Sequence, residues 1–112
     1  MSRIYLGELE ELILLIVAML QGEAYGVAVQ TEVKEQTGRA VNISAIHAAL
    51  RRLEAKGYLR SEWGDATAQR GGRRKRLFVV TQGGVHALQT LRDMRVQLWN
   101  QIPGLSPNLS IS

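Results

Sequence analysis

Within VNISAIHAALRRLEAKG, Ser44, His47 and Arg51 follow one another at one-turn intervals, so a helix would set a hydroxyl, an imidazole and a guanidinium on one face. Ser44 and His47 have the types of a nucleophile and its base. No acid is evident to orient the imidazole and no oxyanion hole can be read, so hydrolysis is not expected and no catalytic residue is assigned. Three outward hydrogen-bonding groups suit recognition instead. A second stretch, QRGGRRKRLFVVT at residues 69 to 81, concentrates Arg70, Arg73, Arg74, Lys75 and Arg76 ahead of an apolar run. Such a cluster repels itself in a folded domain and gains by meeting a polyanion. His47 and His86 stand far apart with no ligand-spaced partner, so neither a metal nor a cofactor is expected. Glu10 and Glu11 are adjacent rather than one turn apart, which suits the positive end of a helix dipole better than paired acid and base catalysis.

The net charge of +4 over 112 residues hides an asymmetry. Residues 1 to 38 hold two cations and six acids, and residues 39 to 76 hold ten cations and three acids. A positive field confined to one part of a small domain is the footprint of a polyanion binder; a solvated basic surface is the plainer alternative. Cysteine is absent, which excludes disulfides and thiolate metal sites. The longest apolar run, Leu12 to Leu20, is too short for a membrane span and follows acids rather than the cations of an export signal, so a cytoplasmic location is expected.

These groups need elements to position them. Leu6 to Leu20 reads as a helix, acidic in its first turn and so apolar afterwards that burial on several sides is expected. Tyr25 to Thr37 reads as a second helix, with Tyr25, Val29 and Val33 on one face and Gly38 as its stop. Asn42 can cap a third helix that carries Ile46, Leu50 and Leu53 inward and ends at Gly57. Tyr58 to Trp63 and Leu77 to Val80 read as strands of a long hairpin joined by the polar loop Gly64 to Arg76. Thr81 can cap a last helix from Gln82 to about Ile102, ended by Pro103.

Three helices, a hairpin with a basic loop and a last helix make a mainly α fold with a small hairpin (α+β), the order of a winged helix-turn-helix. One domain is expected over residues 1–102, with a flexible tail over 103–112. In such a domain the third helix enters the DNA major groove and the hairpin loop, the wing, reaches flanking backbone or minor groove. On that reading Asn42, Ser44, His47, Arg51 and Arg52 form the recognition-helix set, and Arg70, Arg73, Arg74, Lys75 and Arg76 form the wing set. Plainer roles stand beside these. Asn42 can be only a cap, and Arg51 can pair with Glu54 or Glu35. On the last helix Leu88, Leu91, Met94, Leu98, Trp99 and Ile102 make a stripe wider than one small core requires, so that helix is expected to pair in a homodimer. Trp99 can pack in that seam or, with Met19 and Met94, line a pocket for a planar apolar effector.

The segments LGELEELILLIVAML, the pair Tyr25-Gly26, SAIHAALRRLEAKGYL and RGGRRKRLFVVTQGG together resemble the short form of the PadR family of bacterial transcriptional regulators. The resemblance implies a winged helix-turn-helix that dimerises through its first and last helices, which adds Leu9 and Leu12 to the interface. It also implies operator binding on double-stranded DNA, usually as a repressor and sometimes relieved by a small effector, with no enzyme activity. The chain departs from the pattern in two places. His47 stands where the family usually has Tyr, and Ala48 where Pro is frequent; of the aromatic pair that opens the last strand only Phe78 is present, after Leu77. A competing reading keeps the fold but makes it a protein-interaction module whose basic wing binds an acidic partner. Paired exposed aromatics on the strands, the mark of many RNA binders, are lacking.

Overall fold

A computed structural model of the chain describes residues 4–64 and 75–105. Four helices and one hairpin follow in the order α1 (Glu8–Leu20), α2 (Gly26–Thr37), α3 (Ile43–Ala55), β1 (Leu59–Trp63), β2 (Arg76–Val80) and α4 (Gln82–Asn100). The order agrees with the sequence expectation, and the boundaries shift by one or two residues for local reasons. α1 starts at Glu8 because Glu10 reaches back to accept the Gly7 N–H at 2.9 Å, which closes the first turn two residues later than expected. α4 gives way to tighter i−3 bonds at Gln101 and Ile102, just ahead of Pro103.

Caps explain where the other helices begin and end. Asn42 accepts the Ala45 N–H at 2.8 Å and starts α3; Gly38, at φ 74°, donates its N–H to the Lys34 carbonyl and closes α2. Thr81 accepts the Gly84 N–H and donates its hydroxyl to the Gly57 carbonyl, so one side chain caps α4 and ties it to the turn after α3. Gly84 permits a close approach: a Cβ there would meet the Tyr58 carbonyl and the Val80 side chain.

The core lies among α1, α2, α3 and the inward side of the hairpin. Ile13, Leu14, Ile16 and Val17 of α1 meet Val29 and Val33 of α2, Ile46, Ala49, Leu50 and Leu53 of α3, and Leu59 and Phe78 of the strands. Each large aliphatic side chain buried there contributes roughly 1.5–3 kcal/mol. That burial fixes the sides α3 leaves outward. The strands pair antiparallel from Leu59 with Val80 to Trp63 with Arg76. The segment before α2 joins the same sheet edge, since Phe78 donates its N–H to the Ala24 carbonyl and Tyr25 bridges Leu77.

α1 is less enclosed than its composition suggests, because Leu15 and Met19 face out. No described helix is long and apolar enough to cross a membrane.

Candidate nucleic-acid interface

α3 presents four sides, and each has a different occupant. Ile46, Ala49, Leu50 and Leu53 face the core. At 100° per residue the opposite side carries Ser44, Ala48, Arg51 and Ala55. Ser44 and Arg51 are exposed and hold no hydrogen bond or ion pair among the described residues, so Arg51 does not take the Glu54 or Glu35 partner weighed above. Ala48 and Ala55 flank Arg51 with small side chains, which leaves its guanidinium the tallest group on a low surface.

One flank of α3 faces the hairpin. Glu54 accepts the Ser61 hydroxyl at 2.6 Å and pairs with Arg76 at 3.3 Å, while Arg76 also donates to Ser61 at 2.9 Å. The Arg76 guanidinium lies 5.9 Å from the rings of Trp63 and Phe78. Further along this flank, the His47 imidazole sits against Gly26 at the start of α2. Beside it, Tyr25 carries the Lys75 ammonium over its ring at 4.8 Å and lies close to Gly64. The stem of the wing, the start of α2 and the outward part of α3 are therefore joined residue to residue: Lys75 to Tyr25, Tyr25 to Gly26, Gly26 to His47.

The other flank faces α1. Arg52 and Lys56 hydrogen-bond the two oxygens of Glu10 at 2.8 and 2.7 Å, and Glu10 is only 5% exposed. Burial works against the carboxylate's charge. The hydrogen bonds from Lys56, the Gly7 N–H and Arg52, with the Lys56 charge, outweigh it and lower the pKa to about 2 from 4.5. Two cations share one anion, so the cluster keeps one positive charge.

The geometry gives several of the expected site residues contacts within the chain. Arg52, expected in the recognition set, is turned toward α1 because its position lies about 100° around the helix from Arg51. Arg76, expected as a phosphate contact, is tied to Glu54 and Ser61. Asn42 is engaged as the α3 cap. Lys75 stands at the wing stem, while Arg70, Arg73 and Arg74 lie outside the described residues. Glu10 does more than meet a helix dipole. Its tertiary role had a trace in sequence: with Ile13, Leu14 and Val17 it completes an i, i+3, i+4, i+7 stripe, so a carboxylate occupies a core position and needs partners.

The residues expected to pair two protomers divide in two. Leu9, Leu12 and Leu88 pack at the edge of the chain's own core, and Leu91 is half-buried. Met94, Leu98 and Trp99 are exposed on the distal part of α4 and Ile102 in the turn that follows it, as is Met19 on α1. Arg95 pairs with Glu11 at 2.6 Å and fixes α4 against the first turns of α1.

Comparison with curated proteins finds no match. Among solved structures, a PadR family transcription regulator from Clostridium difficile R20291 superposes with a TM-score of 0.66 at 25% identity, over 88% of this chain and all of that one. A PadR family transcriptional regulator from Eggerthella lenta gives 0.64 at 25% identity, over 81% and 79% of the two chains. Bacillus subtilis PadR in complex with operator DNA gives 0.63 at 21% identity, over 75% of this chain and 46% of that one. The family model described as "Transcriptional regulator PadR-like family" matches residues 13–90, which hold α2, α3, the hairpin, most of α1 and the first half of α4; the chain belongs to this family of winged-helix transcriptional regulators.

Proposed function

We propose that the chain acts as a homodimeric, sequence-specific DNA-binding regulator, most simply a repressor, on a pseudo-palindromic operator. The observation that carries this reading is the continuity from Lys75 through Tyr25 and Gly26 to His47, beside Arg51, which has no partner among the described residues. A recognition helix and a cationic wing stem on one surface match what a groove and its flanking phosphates require. The Bacillus subtilis relative, which binds operator DNA, shares the fold. Ser44, His47 and Arg51 enter the major groove, and Lys75 with the loop cations Arg70, Arg73 and Arg74 holds neighbouring phosphates.

The partner for the second half-site is another copy of this chain. Met94, Leu98, Trp99 and Ile102 extend the apolar surface of α4 past the core, and burying them against a twofold-related copy removes them from water. A planar apolar effector stacking on Trp99 between protomers, with Met94 and Met19 as adaptable lining, is the regulatory extension of this reading.

Filter binding with a salt titration tests the function. Each phosphate contact contributes about −0.9 to the slope of log K against log salt, and a specific duplex should bind at least roughly 10³-fold better than competitors. Replacing Arg73 and Arg74 by Ala should flatten that slope by about 2 while leaving the preferred sequence unchanged. Equal affinity for all duplexes would favour the alternative, a module whose wing binds an acidic protein.

A further inference from the structure

Gly26 opens α2 and is buried, yet nothing in its backbone demands glycine, since its φ is not positive. The space beside it is what excludes a side chain. A Cβ built there would lie 2.5 Å from Cε1 of His47, 3.1 Å from Nε2 and 3.2 Å from Nδ1, and these are its three nearest heavy atoms. The obstacle is one imidazole, the far end of a side chain that can turn away. A fold-only account therefore predicts that alanine is tolerated at this position, or favoured, because it is the better helix former.

We infer that Gly26 is a positioning residue for His47, and that His47 so held is a specificity-determining residue reading one base pair of the operator. This rests on the DNA-binding function proposed above. An exposed imidazole left free would sample several rotamers and lose them on binding; seated in the notch, it presents its two nitrogens at fixed places beside the outward side of α3. Arg51 follows one turn later, about 6 Å along the helix, which is roughly two base-pair steps of 3.4 Å. The two side chains thus read base pairs about two steps apart. The imidazole supplies one donor and one acceptor when neutral, enough to prefer one base edge.

The test is a double-mutant cycle on the full chain. Native protein first selects its preferred duplex from a random library, and affinities are then measured for that duplex and for single-base-pair variants. His47→Ala should reduce discrimination at one base pair by about tenfold or more and leave the Arg51 position unchanged. Gly26→Ala should reproduce that loss with the melting temperature preserved or raised, and should move the NMR signal of the His47 Cε1–H in the absence of DNA. In the His47→Ala background, Gly26→Ala should change discrimination by less than about twofold, the scale on which independent sites add. Native discrimination in Gly26→Ala, an unmoved Cε1–H signal, or equal effects of Gly26→Ala with and without His47 would each overturn the inference while leaving DNA binding intact. Failure of the native chain to select any duplex would instead overturn the proposed function, and this inference with it.

Discussion

Arg51 and Arg52 are neighbours in the chain and opposites in their surroundings. Arg51 stands on the outward side of α3 with no described partner, whereas Arg52 lies over the seam with α1 and shares a buried carboxylate with Lys56. The difference arises from the helix alone, because one residue of rotation separates a surface facing solvent from one facing Glu10. Local composition does not reveal this. Two adjacent arginines in a basic third of the chain look equivalent until the partner element is placed, and then one is left on the outward side of α3 while the other ties α3 to α1.

Three experiments test this contrast, in descending order of expected effect. Arg51→Ala should relax preference at one or two base pairs by about 1–3 kcal/mol, read as loss of discrimination among duplex variants. Its melting temperature should stay within about a degree or two, as for a surface substitution. An unchanged base preference would remove Arg51 from the recognition surface.

Glu10→Gln attacks the other side. It should destabilise the fold by about 1–2 kcal/mol, less than a fully buried pair would lose, because Arg52 and Lys56 are partly exposed and can turn to water. The native carboxyl has its pKa lowered from 4.5 to about 2, so its contribution is fully present above 4.5 and is lost as pH falls toward 2. Denaturant titrations across that window should show native stability falling steeply and Glu10→Gln falling less. Equal slopes would mean that the cluster does not report on folding.

Arg52→Ala should have the smallest effect, below about 1 kcal/mol in stability, since Lys56 and the Gly7 N–H still bond Oε1 of Glu10, and loss of the half-exposed Arg52 opens Oε2 to water. Base preference should be unchanged. If Arg52→Ala altered sequence preference as strongly as Arg51→Ala, the separation of the two sides would fail.

The elements were legible because each boundary has a local cause. Asn42 and Thr81 cap their helices through the side-chain bonds their types suggested, and Gly38 closes α2 in the left-handed conformation. Apolar spacing placed Ile46, Leu50 and Leu53 inward. The outward position of Ser44 and Arg51 followed from that spacing, while His47 lies on the flank toward α2. The engagement of Arg76 with Glu54 and Ser61 could not be read, because it depends on a contact between α3 and a strand that local periodicity does not encode. The seat of His47 on Gly26 joins residues 21 positions apart, and the glycine's role depends on a ring that only the helix crossing brings there.

By itself, the order of residues determined the helices, the hairpin, the charge asymmetry and the outward side of α3, since capping, turn chemistry and periodicity act within a few residues. Only the tertiary structure decided which cations remain free, which are neutralised and which ring fills which notch. Those outcomes depend on distances between elements far apart in the chain, and an ion pair or a steric fit exists only once packing has brought its two halves together.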